Sequence, residues 1–226
     1  ISIYDDPTMK KYNGESLAGS YPFDDEGVVS KKVALVEDGT LKGFLTTRSP
    51  IKKLGHESNG HARNQGYERP ISRMANLIIE SSSSNTWEDL KLQLIEEVKA
   101  KKLPFGIILL SVEGGETDTE VYDFQAFKGE ITLAVKIFPN GREKYVRGVD
   151  FVGTPLSSLM NIKAVGSDHK LDNSYCGAES GSIPVATVSP AILLSNLELQ
   201  IKDPAKATQY SLPLPWHDKR FAPKKA

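Results

Sequence analysis

Glu130-Ile131-Thr132-Leu133-Ala134-Val135-Lys136-Ile137-Phe138, followed by Pro139-Asn140-Gly141, is the stretch that decides the fold class. Ile131, Leu133, Val135 and Ile137 recur every second residue, the period of a strand with one buried face. Pro-Asn-Gly then reads as a turn, because Pro presets φ while Asn and Gly tolerate positive φ. The same grammar extends outward. Residues 106–112, 120–127, 130–138 and 143–152 predict consecutive antiparallel strands, with turns at Gly114-Gly115, Lys128-Gly129 and Pro139-Asn140-Gly141.

Upstream, the spacing predicts one long amphipathic helix. Asn85 and Thr86 are candidate N-caps, and Glu88 and Asp89 fall in the first turn. Trp87, Leu90, Leu94 and Val98 recur at helical spacing, widened by Ile95. Lys99, Lys101 and Lys102 precede Pro104, so acid leads and base trails, as the helix dipole favours. Ser81–Ser84 reads as the loop before this helix. The first third is strand and loop. Ile1, Ile3 and Tyr4 alternate, and Asp38-Gly39 lies between Val33-Ala34-Leu35-Val36-Glu37 and Thr40-Leu41-Lys42-Gly43-Phe44-Leu45, a hairpin signal. Residues 48–70 read as a long polar loop. Downstream, Thr154-Pro155 opens a short second helix with Leu156, Leu159 and Met160 expected inward. Residues 166–182 read as a Gly/Ser-rich loop holding Cys176, residues 183–188 and 191–201 as strands, and the stretch from Pro213 on as peripheral. The fold class is α+β: a mostly antiparallel sheet domain with one long amphipathic helix and a short second helix.

Composition bounds the function. With 226 residues the chain makes one or two domains, at about 150 residues each. Lys and Arg number 28 against 29 Asp and Glu, a net charge of −1 that gives no general attraction to nucleic acid or to an acidic membrane. No apolar run approaches the ~20 residues of a membrane-spanning helix. The one cysteine excludes an internal disulfide, and a reducing compartment is the simpler setting. The chain opens at Ile1 on a strand-like pattern, which reads as the later part of a longer protein.

Three groups of residues could carry chemistry. His56-Glu57-Ser58-Asn59-Gly60-His61 reads H-E-x-x-x-H, with the imidazoles and carboxylate of a zinc site. Five residues of helix would turn the two rings about 140° apart. Gly55, Asn59 and Gly60 also favour a loop, so solvated loop histidines are the competing reading. Cys176, in Asn173-Ser174-Tyr175-Cys176-Gly177-Ala178, is either a small hydrophobe or a thiolate ligand or nucleophile. Arg63, Arg69, Arg73 and Asn76 could hold carboxylates or peptide carbonyls, or serve solubility. Neither a G-x-S-x-G elbow nor a phosphate-binding P-loop is present.

Asp5-Asp6-Pro7, Asp24-Asp25-Glu26-Gly27 and Leu35-Val36-Glu37-Asp38-Gly39-Thr40-Leu41-Lys42-Gly43-Phe44 together resemble the TldD/PmbA family of metallopeptidases. The resemblance continues through Ser58-Asn59-Gly60-His61-Ala62-Arg63, Pro70-Ile71-Ser72-Arg73-Met74-Ala75-Asn76, residues 148–153 and 159–166, and Cys176-Gly177 with Ser182-Ile183-Pro184-Val185. What it implies is a cytoplasmic zinc enzyme about twice this length that cleaves peptides or unfolded segments. Some members pair with a related subunit that lacks the metal motif, and the older family name is modulator of DNA gyrase. The family's zinc motif, H-E-x-x-x-H, precedes the Asp-Asp-Pro block and so would lie upstream of Ile1. His56–His61 is then coincidental, falling where the family has a Gly-Asn-Gly-Arg-like loop. Carried over by position, Cys176 is the third zinc ligand, and Arg63, Arg73 and Asn76 are candidate substrate-binding residues.

The expectation is therefore that residues 1–226 form the C-terminal domain of a longer chain. It would supply the Cys ligand to a zinc peptidase, be inactive alone, and work as a homo- or heterodimer with a family member. It would take peptide or unfolded-protein substrates and contact neither nucleic acid nor membrane. The alternative is a non-catalytic scaffold subunit of the same kind of complex. A generic binding module with a recognition loop at 48–70 is the reading without the resemblance.

Overall fold

The computed structural model describes residues 1–52, 57–118 and 126–201. In chain order the elements are β1 (Ser2–Asp5), β2 (Lys11–Tyr12), β3 (Glu15–Ser16), β4 (Val33–Glu37), β5 (Thr40–Leu41), β6 (Ala62–Arg63), β7 (Ile71–Ser72), β8 (Asn76–Glu80) and α1 (Trp87–Ala100). Then follow β9 (Gly106–Asp118), β10 (Ala126–Ile137), β11 (Glu143–Val146), β12 (Val149–Gly153), α2 (Pro155–Met160), β13 (Ile162–Ala178), β14 (Gly181–Leu194) and β15 (Glu198–Ile201). The fold is mostly sheet with two helices, one of them long, an α+β protein. The described residues divide into two compact units: Ile1–Leu94 with Ile162–Leu194, and Ile95–Asn161 with the described residues from Ser195 to Ile201.

The first unit is built on a six-stranded sheet in the order β13-β14-β8-β1-β4-β5. Every pairing is antiparallel except β14 with β8, where Ala186, Thr187 and Val188 run alongside Asn76, Leu77 and Ile78. Parallel neighbours require a long crossover, and here it includes α1 and much of the second unit. Tyr4, Leu17, Ile78, Ala186 and Val188 form the core cluster, with Met9, Tyr12 and Leu171 packed on it. Each fully buried aliphatic side chain of this kind contributes about 1.5–3 kcal/mol. The β4–β5 hairpin turns at Asp38 and Gly39, with φ of 47° and 78°, as its Asp-Gly pair predicts.

The ends of α1 are closed by its own sequence. Thr86 Oγ1 accepts from Asp89 N at 3.2 Å, and Asp89 Oδ2 accepts from Thr86 N at 2.8 Å, a reciprocal capping box. At the other end Lys102 takes φ 53°, and Lys102 N and Leu103 N donate to the carbonyls of Lys99 and Val98. This is a Schellman closure with lysine where glycine is usual. Leu90 and Val98 are buried, Leu94 and Ile95 half-buried, and Trp87 exposed.

In the second unit β10 pairs with β9 along its length and, on its other side, with β11 and β12, and β15 lies beyond β12. The turns expected at Gly114-Gly115 and Lys128-Gly129 are absent: Gly115 pairs with Gly129, and Gly114 with Glu130, inside continuous strands. Glycines can stay in a ladder position when the partner strand supplies the pairing. The expected strand at 120–127 lies outside the described residues up to residue 125. Register shifts between Glu130 and Ala134 break the alternation, so Ile131, Val135 and Ile137 are buried while Leu133 is not. The expected strand at 143–152 is two strands, parted at Gly148 with φ 82°. Leu156, Leu159 and Met160 of α2 are exposed, not inward. Six residues make fewer than two turns. This helix is fixed by Pro155 in its first turn and by Ser158 N donating to Thr154 O rather than by an apolar face.

The largest departure concerns residues 166–182. They are not a loop but most of β13, the turn and the start of β14, in a hairpin paired from Ile162↔Leu194 to Ala178↔Gly181. β13 is polar on both faces over much of its length because it is the terminal strand of its sheet.

Candidate functional site

Of the residues singled out by the sequence, Cys176, Arg73 and Arg63 meet along the closed part of the β13–β14 hairpin. Cys176 stands opposite Ile183, so the two side chains share a face, and Ile183 is buried. Cys176 itself is half-buried and a free thiol. Under this end of the hairpin lies a guanidinium. Arg73 Nη1 donates to Ser180 Oγ at 2.8 Å and to Gly181 O at 3.0 Å, and Nη2 donates to the Cys176 carbonyl. Ser180 is fully buried and Arg73 nearly so.

The segment that carries Arg73 is itself tied down. Arg73 N donates to His61 O at 3.0 Å. Gln65 N donates to Ser180 O at 2.8 Å, and Gln65 Oε1 accepts from Ser182 N at 2.8 Å. Arg63 Nη1 donates to Met74 O at 3.0 Å and to Pro184 O at 2.8 Å, and its guanidinium stacks over the Tyr21 ring with 4.9 Å to the centroid. Burial lowers the Arg63 pKa from its ordinary value, partly offset by Tyr21, Asp25 and Asp5. Burial likewise raises the Tyr21 phenol, against the pull of Arg63, and its hydroxyl donates to Gly60 O at 3.1 Å. Asn76 is wholly buried, and its Nδ2 donates to the carbonyls of Asp6 and Met9, both at 2.9 Å. Arg69 stands apart, exposed, with Nη2 3.3 Å from Ser49 Oγ.

The H-E-x-x-x-H stretch is not a helix over its described part. Gly60 has φ 78°, Glu57 is exposed, and His56 lies outside the described residues. His61 is not a solvated loop residue either. Its ring is completely buried, with Nε2 3.2 Å from Asp5 Oδ1 and Nδ1 3.1 Å from both Asn59 O and Asn59 Oδ1. Asp5 in turn accepts from Ala75 N at 3.1 and 3.0 Å. Sequence reasoning missed His61, Asp5, Ser180 and Gln65 as parts of this network. The Asp5-Asp6-Pro7 block was the available signal, since carboxylates beside Pro at a strand end commonly tie loops.

Zinc takes three or four N, S or O donors at about 2.0–2.3 Å. Among the described residues no three His, Cys, Asp or Glu side chains are grouped so as to hold a metal. Cys176 is a chemically suitable single donor, and the described residues do not complete a site around it.

The description PmbA/TldA metallopeptidase C-terminal domain fits residues 1–200 of this chain. An Archaeoglobus fulgidus protein named metalloprotease is 36% identical over 194 residues, covering 85% of this chain and 40% of that protein. A Saccharolobus solfataricus protein named zinc metalloprotease TldD homolog is 26% identical over 178 residues, 78% of this chain and 37% of that one. The solved structure of TldE from Thermococcus kodakarensis superposes with a TM-score of 0.59 at 20% identity, over 88% of this chain and 39% of that one. The chain thus spans about two-fifths of the length of the relatives it matches. No described helix is long and apolar enough to cross a membrane.

Proposed function

We propose a function from one premise: this chain belongs to the PmbA/TldA metallopeptidase C-terminal domain family. It is the C-terminal domain of a longer zinc-dependent peptidase and supplies Cys176 as one ligand of the metal, with the other donors outside this chain. The observation that carries the reading is the position of Cys176. It lies near the turn of a terminal strand, on a hairpin end fastened by a buried guanidinium. A metal ligand needs such a fixed backbone, because a small displacement of one donor spoils the coordination geometry.

The bound metal would polarise a peptide carbonyl and acidify a water. The chain's own residues do the holding. Arg63, Arg73 and Asn76 are the residues proposed to act toward substrate; all three are buried, and Arg63 and Arg73 also hold the segment beside the hairpin. Among the described residues β13 is the end strand of its sheet, bridged at Gly166 to Asn85, and the rest of a terminal strand can take an extended peptide by main-chain pairing with little demand on its sequence. The proposed substrates are therefore peptides or unfolded segments. The setting is the cytoplasm, as a homo- or heterodimer with a family member.

The test uses the full-length protein that carries an upstream H-E-x-x-x-H. Cys176→Ala is expected to lower its zinc content well below one per chain while leaving the fold intact by circular dichroism. Unchanged zinc content removes Cys176 from the site. The rival reading, a non-catalytic partner subunit, is distinguished by the same assay, since such a subunit holds no zinc before or after the substitution.

A further inference from the structure

We propose that Arg73 is a positioning residue that locks the closed end of the β13–β14 hairpin in place before any metal arrives, so that the Cys176 backbone is preorganised by the protein and not by its ligand. The metal role of Cys176 rests on the function proposed above; the lock does not. Three observations on separate elements carry it. Arg73, from the segment between β7 and β8, reaches both strands and their turn at once, binding Cys176 O on β13, Ser180 Oγ in the turn and Gly181 O at the start of β14. Gln65, from the segment between β6 and β7, grips the same turn through Ser180 O and Ser182 N. Farther along the hairpin, Asn173 Oδ1 accepts from Ala18 N at 2.9 Å and Asn173 Nδ2 donates to Ser16 O at 3.0 Å, which fixes β13 to the β2–β3 region.

The geometry suits arginine in particular. A planar guanidinium presents several donors in a fixed fork, so one side chain can hold three acceptors on two strands. Lysine at 73 would offer a single rotating ammonium and could not span them. Hydrogen bonds from a buried charged donor are also among the stronger ones, and Arg73 and Ser180 are both excluded from water. A hairpin end without such a clamp frays, because its last ladder bonds have no neighbours beyond them.

Amide hydrogen exchange on the 226-residue chain, without and with a molar excess of zinc, tests this. Amides between residues 174 and 184 should be protected in metal-free protein, and zinc should change their rates less than about twofold. Arg73→Lys should raise exchange there by about tenfold or more, the effect of losing one or two charge-assisted bonds, while β1 and β8 keep their protection. Cys176→Ser should leave protection unchanged. Free exchange at 174–184 in the unsubstituted metal-free chain, or protection that survives in Arg73→Lys, overturns the proposal. So does protection that appears only with zinc. A general loss of protection in Arg73→Lys would make Arg73 a requirement of the whole fold and would overturn the local lock. Ser180→Ala, which removes one acceptor and leaves the guanidinium, should loosen the same amides less. If Cys176 proves not to bind zinc in the longer protein, these exchange rates still decide the lock by themselves.

Discussion

Gly181 meets two demands at once. Its φ is +91°, and a Cβ added there would lie 2.5 Å from Gln65 Cβ. The left-handed backbone alone costs an L-residue about 1–2 kcal/mol, and Gln65 can yield only by giving up its bonds to Ser180 and Ser182. Gly181→Ala is expected to lower unfolding free energy by about 2–3 kcal/mol in urea titration, with the hairpin end losing protection first. His61 shows the opposite kind of constraint. It is a polar ring in a fully buried position, tolerated because Asp5 and Asn59 meet both nitrogens. Nothing in the local stretch Asn59-Gly60-His61 announces this, since the partner Asp5 lies far away in the chain.

At the scale of the element, the first turn of α1 holds a carboxyl tied to its own cap. The Asp89 carboxyl is held below its ordinary pKa by the Thr86 backbone and hydroxyl bonds. A carboxyl depressed in the folded state contributes stability that is present above about pH 4 and lost as pH falls below that range. Thermal melts at pH 7 and pH 3 should therefore show an acid-side loss of which Asp89→Asn removes a small part. This helix was legible in the sequence because its cap, its acidic first turn and its apolar spacing all lie within the helix itself. β13 was not. Gly166-Ser167-Asp168-His169-Lys170 and Asn173-Ser174 read as loop because they are polar without alternation, and only the apolar strand β14 alongside makes them extended. The Gly114-Gly115 pair misleads for a related reason, since its strand partner Gly129 is what makes it a ladder position. Cys176 stood out as the lone thiol, but the guanidinium that fastens it came from a hundred residues away and left no local mark.

For the whole molecule the critical seam is β8. It pairs antiparallel with β1 on one side and parallel with β14 on the other, and Ile78 sits in both ladders, fully buried. Ile78→Ala should cost about 2–5 kcal/mol and should loosen β1 and β14 together when followed by hydrogen exchange, because the cavity opens in the cluster they share. Confinement of the loss to one flank would show that the two halves of this sheet are independently stable.

The parallel seam also sets a timetable for synthesis. β8 leaves the ribosome more than a hundred residues ahead of β14, and everything between them must emerge before Ala186, Thr187 and Val188 can close on Asn76, Leu77 and Ile78. At about 5–20 residues per second that is roughly 5–20 seconds during which β8 presents an open edge. A polypeptide terminated ahead of residue 186 would keep that edge exposed for good, open to pairing with another chain.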